Sequence, residues 1–303
     1  MDKKLSQPHI ICYGELLWDN LPTGRMAGGA PMNVAYHLNQ LGAQSQLISR
    51  TGNDQAGADL ISFSREIGLP VANIQLDPVH PTGEVIATVM DNDEVAYDIL
   101  PHASWDFIEF QPNFNELATA ADAFVFGSLA ARNLTSRETL LRLVNAAKFR
   151  VLDINLRAPH YSKEILHLLL SKANLLKLNN EELILLTNLF FVDGAPEKDA
   201  INFLLQTYEI GEIILTKGSE GASYYTAEEH YTGKAYPVKV ADTIGAGDSF
   251  LAAFLYKKFT GASVSEAFDY ARAMGAFIAG KKGGCPPYNA GELEQFITDH
   301  RPL

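Results

Sequence analysis

The chain contains little cysteine and no long apolar run. Only two of its 303 residues are cysteines, Cys12 and Cys285, and no Cys-x-x-Cys spacing occurs. Structural disulfides and cysteine-ligated zinc are therefore not expected, and the composition suits a reducing compartment such as the cytoplasm. The first apolar run, residues 10–13, has the length of a strand and is too short for a signal-peptide core or a membrane span.

Positive charge is also scarce. Lysine and arginine number 24 against 36 acidic residues, which gives a net charge of -12 and a pI near 5.1. These values argue against a general surface for nucleic acid or for an anionic membrane, so neither is an expected partner. Any phosphate group must be bound locally.

Two widespread phosphate-binding motifs are missing. The chain has no Gly-x-x-x-x-Gly-Lys-Ser/Thr, which excludes a P-loop. It also has no Gly-x-Gly-x-x-Gly between a strand and a helix, so a dinucleotide-binding dehydrogenase has no support. Hydrophobic residues make up 47% of the chain, which is typical of a globular protein with a substantial core.

The most informative segment is residues 241–250, which read Ala-Asp-Thr-Ile-Gly-Ala-Gly-Asp-Ser-Phe. We predict a strand at 236–240 before it and a helix over the apolar residues after it. Gly245 and Gly247 lack Cβ atoms, so the turn can direct backbone N–H groups at an anion beside the helix N-terminus. Asp248, in the first helical turn, suits removal of a proton from a hydroxyl that attacks phosphate. Its alternative role is a simple helix cap.

A second glycine pair, Gly28 and Gly29, directly precedes a predicted helix at 31–41. Such a pair is either a plain connection or a ligand site. Predicted strands at 9–13, 46–49, 123–127 and 150–154 alternate with helices. This alternation predicts a parallel sheet covered on both faces, with ligands at the carboxyl ends of its strands.

The segments 28–35 and 241–250 resemble the N-terminal and C-terminal signatures of the ribokinase-like (PfkB) family of sugar and nucleoside kinases. The resemblance implies one kinase domain over residues 1–303, with a three-layer α/β/α fold, a mostly parallel central sheet and a small β-sheet lid. It also implies ATP and Mg2+ as cofactors. The expected reaction transfers the γ-phosphate of ATP to a primary hydroxyl of a small sugar.

The resemblance assigns catalytic and sugar-binding roles. Asp248 corresponds to the general base, and Arg157 to an arginine near the substrate and the phosphate, although most arginines are ordinary surface cations. The anion hole corresponds to Gly245, Ala246 and Gly247. The sugar-binding positions are Asp19, Gly28, Gly29, Asn33, Tyr97 and Asp248.

The resemblance also assigns nucleotide and metal positions. The nucleotide positions are Lys177, Asn179, Thr216, Gly218, Gly221 and Gly247. The magnesium–phosphate complex is assigned to Asn179 and Glu182. A monovalent cation such as K+ is assigned to Asp242 and the Ile244 carbonyl. Some have a purely local alternative, since Asn179 and Glu182 fit a helix N-cap with an acidic first turn. Gly218 and Gly221 fit a plain turn. Arg272 stands where many relatives carry asparagine, which weakens the resemblance on the adenine side.

Residues 82–101 predict a hairpin, with strands at 84–90 and 95–100 and a polar turn at 91–94. Together with residues 15–30 this hairpin would form the lid, which on closing would exclude water from the sugar site. The unpaired edge of the lid is a candidate surface for a homodimer.

The acceptor is predicted by analogy. Residues 103–106 and 126–132 look most like bacterial fructokinases, so fructose is expected. Ribose, 2-keto-3-deoxygluconate and nucleosides are alternatives; Tyr97 and Trp18 could contact the base of a nucleoside. A non-catalytic sugar-binding or regulatory protein on the same scaffold is the alternative from another class.

Overall fold

The computed structural model describes residues 7–21, 24–89 and 95–301. The polar turn predicted at 91–94 lies outside these ranges. The strands are β1 (His9–Tyr13), β2 (Leu17–Leu21), β3 (Gly24–Gly28), β4 (Gln44–Gly52), β5 (Ile74–Asp77), β6 (Gly83–Val89), β7 (Val95–Ile99), β8 (Ala123–Gly127), β9 (Arg150–Asp153), β10 (Leu175–Asn179), β11 (Glu212–Thr216), β12 (Ala222–Tyr225) and β13 (His230–Gly233). The α-helices are α1 (Ala30–Leu41), α2 (Gln55–Glu66), α3 (Pro112–Ala120), α4 (Leu134–Ala146), α5 (Lys163–Leu170), α6 (Asn180–Phe190), α7 (Glu197–Tyr208), α8 (Ala246–Phe259), α9 (Val264–Ala279) and α10 (Ala290–His300).

The larger sheet has nine strands within the described ranges, in the order β13-β12-β11-β10-β9-β8-β1-β4-β5. All neighbours from β11 to β5 pair in parallel, whereas β12 and β13 are antiparallel at one edge. The carboxyl ends of the parallel strands therefore lie on one side of the sheet, where open α/β sheets bind ligands.

Both faces of this sheet are covered by helices, as alternate residues of β1 show. Ile11 and Tyr13 belong to a buried cluster with side chains of α3 to α7. Ile10 and Cys12 belong to a second cluster with side chains of α1, α8 and α9. Two apolar faces on one central strand require a layer of helices on each side. This arrangement confirms the predicted three-layer α/β/α fold.

A smaller sheet of four strands stands apart from the main one, in the order β3-β2-β6-β7. β2 and β6 are parallel, and the outer pairs are antiparallel. Its strands come from the two segments predicted for the lid. The edges of this sheet are β3 and β7, and a homodimer through them stays a prediction.

The strand predicted at 236–240 is wrong. Residues 234–240 have no strand structure, and β13 already ends at Gly233. Pro237 has no N–H to donate to a neighbouring strand, and directly after this segment the Ala241 N–H bonds to the Ala279 carbonyl of α9. The chain therefore reaches α8 along the side of α9 rather than from the sheet.

No helix within the described ranges is both long enough and apolar enough to cross a bilayer.

Candidate active site

A cavity of about 640 Å3 opens where the parallel strands end. Glu15 follows β1, Asp153 ends β9 and Thr216 ends β11, and all three line the cavity. Leu17 and Val85 of the small sheet also line it, so this sheet covers one side. The cavity brings together twelve residues that the sequence predicts: Asp19, Gly29, Asn33, Arg157, Lys177, Asn179, Glu182, Thr216, Ile244, Gly245, Gly247 and Asp248.

Some predicted residues lie elsewhere. Those outside the cavity lining are Gly28, Ala246, Gly218, Gly221 and Asp242. The backbone of Tyr97 lies in β7 opposite Ala87, but its side chain is outside the described part of the structure. Its predicted sugar contact therefore stays a prediction.

The N-terminus of α8 is the end of a helix without a side-chain cap. Its N-cap is Gly245, in the left-handed conformation (φ 75°, ψ -4°), and no capping side chain accepts a hydrogen bond from the N–H groups of the first turn. The Ala246 N–H bonds to the Thr243 carbonyl at 3.3 Å. The N–H groups of Gly247 and Asp248 belong to the first turn, where a helix offers no internal acceptor. They are suited to bind an anion.

Gly245 is required for two reasons. Its positive φ disfavours any residue with a Cβ, and a Cβ there would lie 2.7 Å from the Gly284 Cα. Gly68 has nearly the same φ of 78°, but a Cβ there would meet nothing within 4 Å.

We therefore expect Gly245→Ala to lower both stability and turnover, and Gly68→Ala to lower stability alone. The left-handed conformation costs alanine about 1–2 kcal/mol. Gly245→Ala adds the displacement of the Gly284 backbone and should cost about 1–3 kcal/mol more, with at least about tenfold lower kcat because the turn moves. Urea unfolding and steady-state kinetics of both variants measure this difference. Equal losses in the two variants would contradict the packing role of Gly245.

Asp248 is fixed by a residue from the other end of the chain. Its Oδ2 accepts a hydrogen bond of 2.8 Å from the Asn33 Nδ2 of α1. The pKa of Asp248 is raised to about 6, because burial and the negative charge of Asp153 together outweigh the opposing effects of Lys177, Asn33 and Arg157. A carboxylate with this pKa is ionised at neutral pH and is a stronger base than an exposed aspartate.

A buried ion pair lies beside the same turn. The Lys177 Nζ of β10 donates to both carboxylate oxygens of Asp153 on β9, each at 2.8 Å. A Cβ on Gly247 would lie 3.3 Å from this Nζ. Burial lowers the pKa of Lys177, but the charges of Asp153 and Asp248 more than compensate and leave it raised. The ammonium group therefore stays charged next to the open N–H groups of α8.

The diglycine before α1 borders the cavity through Gly29. Gly29 is the N-cap of α1 with φ 117°, and a Cβ there would overlap the Glu15 carbonyl oxygen. The space beside Gly28 is filled by the Asp19 carboxylate. Burial raises the pKa of Asp19 to about 6, and the charge of Arg157 limits the rise. The diglycine thus brings backbone, Asp19 and Asn33 together around one polar space.

The family assignment follows from a comparison of the sequence with known families. A model of the pfkB family of carbohydrate kinases matches residues 8–290. The chain belongs to this family. The resemblance noted from the two signature segments is therefore confirmed.

Relatives and solved structures agree with this family. The fructokinase of Solanum tuberosum is 28% identical over 306 residues, which cover 93% of each chain. The structure of a Xylella fastidiosa fructokinase with bound ATP has a TM-score of 0.82 at 24% identity and covers 96% of this chain and 98% of that one. A Vibrio cholerae fructokinase with fructose, ADP and calcium bound has a TM-score of 0.83 at 22% identity, over 96% and 99% of the two chains. At these identities the two structures show that the fold is shared.

The predicted metal residues of this PfkB chain form a complete helix cap. The Asn179 side chain accepts from the Glu182 N–H. The carboxylate of Glu182 accepts from the N–H groups of Asn179 and Leu156, at 2.8 and 2.7 Å. Within the described ranges no group of three or more His, Cys, Asp or Glu side chains could hold a metal ion.

The other nucleotide-side predictions also have structural explanations. Gly221 has φ 106°, and a Cβ there would overlap the Gly233 carbonyl. A plain turn of this shape therefore requires glycine at position 221. The Asp242 carboxylate accepts from the N–H groups of Ile244 and Gly283, so it fixes the turn before α8. Arg272, the departure from the family pattern, binds the Lys234 carbonyl and Asp269. It lies outside the lining of the 640 Å3 cavity.

Two features of the site were not predicted from the sequence. One is the ion pair of Asp153 with Lys177, two residues 24 positions apart; of the two, only Lys177 was predicted, as a nucleotide position. The other is Glu15, which is only 3% exposed and lines the cavity. One sequence feature could have indicated a role for Glu15. It is a charged residue that directly follows an apolar strand and Gly14, at the carboxyl end of a parallel strand.

Cys285 holds the side chain of Asn33 in place. Its Sγ donates to the Asn33 Oδ1 at 3.3 Å. This bond selects the orientation of the amide in which Nδ2 points to Asp248. Burial raises the pKa of the thiol far above its usual range, so Cys285 is a poor nucleophile.

We expect Cys285→Ala to raise the Michaelis constant for the sugar a few-fold, because the Asn33 amide loses one of its two fixed partners. Cys285→Ser keeps a donor and should stay closer to the wild type. Cys12→Ala is the matched control, since Cys12 is buried in β1 away from the cavity. Identical sugar Michaelis constants in all three variants would contradict this supporting role.

Proposed function

We propose that the protein is an ATP-dependent fructokinase, which transfers the γ-phosphate of ATP to a primary hydroxyl of fructose. The observation that carries the proposal is the position of Asp248. Its carboxylate lies in the first turn of an uncapped helix and faces the same cavity as Asp19 and Asn33. The fructokinase names of the relatives support fructose as the acceptor.

Asp248 acts as the general base in this proposal. The sugar binds between Asp19, Asn33 and the diglycine turn, with its reacting hydroxyl next to Asp248. As the hydroxyl oxygen bonds to the γ-phosphorus, its proton passes to Asp248 and the bond from that phosphorus to the bridging oxygen breaks, releasing ADP. This is the usual work of the base in phosphoryl transfer.

The negative charge of the transferred group meets three sources of positive potential. They are the first-turn N–H groups of α8, the Lys177 ammonium group beside Gly247, and the Arg157 guanidinium. Arg157 is exposed and lines the cavity, and it has no ion-pair partner among the described residues. Fixed charges and dipoles of this kind account for much of the catalysis of phosphoryl transfer.

The donor set fits a magnesium ion that arrives with the nucleotide. We assign Glu182 as the carboxylate that would contact the waters of this ion, because it lines the cavity. Burial raises its pKa. When bound, Mg2+ neutralises charge on the phosphates. A K+ site at Asp242 and the Ile244 carbonyl remains part of the proposal; dependence of kcat on K+ at constant ionic strength tests it.

The nucleoside alternative loses one of its two supports. The Trp18 Nε1 donates to the Ala56 carbonyl at 2.9 Å, and the Arg25 guanidinium lies 4.3 Å from the ring centroid. Trp18 therefore contacts Ala56 of α2 and Arg25 of β3, and it lies outside the cavity lining. The part of the cavity lined by Leu17, Val85 and Ile99 is aliphatic, which offers no stacking surface for a base.

The pH dependence of turnover tests the role of Asp248. Because the base must be ionised, kcat/KM for fructose, which reports the free enzyme, should fall as the pH is lowered through about 6, and approach a tenfold loss per pH unit below it. An ordinary aspartate would lose activity only near pH 3.9. A kcat/KM that stays constant down to about pH 4.5 would contradict the raised pKa.

The acceptor is tested by ADP release with ATP and Mg2+ over fructose, ribose, 2-keto-3-deoxygluconate, adenosine and no acceptor. We expect fructose to give the highest kcat/KM. A different preferred acceptor contradicts the choice of sugar and leaves the phosphoryl-transfer mechanism in place. Sugar binding without ADP release would favour the non-catalytic alternative.

A further inference from the structure

Glu15 is a buried acid that the mechanism above does not use. It follows β1 and Gly14, is 3% exposed, and lines the cavity together with Asp19, Asn33 and Asp248. One of its carboxyl oxygens, Oε2, is buried without a hydrogen-bond partner in the described part of the chain. A buried carboxyl oxygen without a partner costs free energy. Such an atom needs an explanation, and the place of Glu15 on the cavity wall points to an atom of a bound ligand.

The carboxyl group of Glu15 also has a structural role. The backbone N–H groups of Glu15 itself and of Ala30 lie close enough to stabilise its ionised form. Ala30 is the first residue of α1 and directly follows the diglycine. Glu15 thus holds the turn whose residues border the predicted sugar site, while Oε2 keeps its acceptor capacity.

The charged surroundings of Glu15 come from three other elements. Its pKa is raised to about 7, mainly by burial and also by the charge of Asp248 on α8, while the charge of Arg157 after β9 acts to lower it. Asp19 on β2 and the Asp153–Lys177 pair line the same cavity. Glu15 forms no ion pair with the residues that the structure describes, so its carboxyl group is open to a neutral donor such as a hydroxyl.

We propose that Glu15 is a sugar-binding residue whose Oε2 accepts a hydrogen bond from a hydroxyl of the acceptor. The inference rests on the proposed function and names a fourth polar partner for the sugar, beside Asp19, Asn33 and the diglycine turn. A hydroxyl that donates to Glu15 completes the bonding of Oε2. It also discriminates against acceptors that lack that hydroxyl, because Oε2 would then stay without a partner.

Glu15→Gln is the sharpest variant. The backbone N–H groups of Glu15 and Ala30 need an acceptor, so the amide oxygen takes that side and the NH2 group takes the position of Oε2. This exchanges an acceptor for a donor with little change of shape. We expect the Michaelis constant for fructose to rise about ten- to hundredfold, the range for a lost hydrogen bond to a charged group. The Michaelis constant for ATP should change less than about twofold, because Glu15 lies on the sugar side.

Glu109→Gln is the matched control, since its carboxylate is 67% exposed and lies outside the cavity. Monodeoxy analogues of fructose identify the partner hydroxyl. The wild type should bind one analogue much more weakly than fructose, and Glu15→Gln should bind that analogue and fructose about equally. Thermal unfolding separates this result from a loss of fold, which would lower the apparent kcat and leave the Michaelis constants unchanged.

The outcomes distinguish the two proposals. If the wild type phosphorylates fructose and Glu15→Gln keeps its fructose Michaelis constant, the role of Glu15 is contradicted and the proposed function stands. If the wild type uses another acceptor of the panel, the choice of fructose falls, and the same comparison with that acceptor and its deoxy analogues decides the role of Glu15.

Discussion

Replacing Asp248 by asparagine is expected to lower kcat by about 10²- to 10⁴-fold, which is the usual contribution of a general base. Asparagine keeps the shape and the first-turn position but cannot accept the proton of the sugar hydroxyl. The Michaelis constant for fructose should change little, because Asp19, Asn33 and the diglycine turn remain. Steady-state kinetics with ATP and fructose measure both constants.

The control for this variant is Asp199→Asn. Asp199 is the third residue of α7, as Asp248 is the third residue of α8, and it is exposed and far from the cavity lining. A first-turn carboxylate stabilises a helix by about 0.3–1 kcal/mol wherever it stands. If Asp248 were only a helix cap, the two variants would show similar small losses of stability and unchanged turnover.

Lys177→Met is expected to have the second largest effect, on stability and on activity. It leaves Asp153 buried and unpaired; Lys177 and Asp153 are 7% and 4% exposed. Removal of one partner from a buried ion pair costs about 3–5 kcal/mol of unfolding free energy. It also removes the positive charge beside the N-terminus of α8, so kcat should fall by at least about tenfold among the properly folded molecules.

The double variant Lys177→Met/Asp153→Asn separates the two effects. It removes the unpaired charge, so it should recover much of the lost stability, but kcat should stay low because the ammonium group is still absent. Lys258→Met is the control at a less buried pair, with Glu212, and should cost at most about 1 kcal/mol. Recovery of kcat together with stability would show that Lys177 has only a structural role.

Local signals predicted the parts of the site that lie within one segment. Gly245, Gly247 and Asp248 occupy a turn and a first helical turn, so their spacing alone indicated an anion site. The same holds for Gly28 and Gly29 before α1. These positions depend on backbone conformations that the residue type itself favours.

The remaining parts depend on contacts between distant segments, which a single sequence does not reveal. Asn33 meets Asp248 across 215 positions and Cys285 across 252. No role was predicted for Glu15, because a charged residue after a strand is usually exposed. The expected strand at 236–240 failed for a related reason: its extended pattern was real, but Pro237 and the contact of Ala241 with α9 kept the segment out of the sheet.

The most direct test of the account is phosphorus NMR of a reaction with equal amounts of ATP and fructose, catalysed by the wild-type protein with Mg2+. The account predicts one new phosphomonoester signal, coupled to the two protons of a CH2 group, in an amount equal to the ADP formed. It also predicts that Asp248→Asn forms this product far more slowly. Inorganic phosphate as the only new signal, or no loss of ATP, would contradict phosphoryl transfer to a primary hydroxyl of fructose.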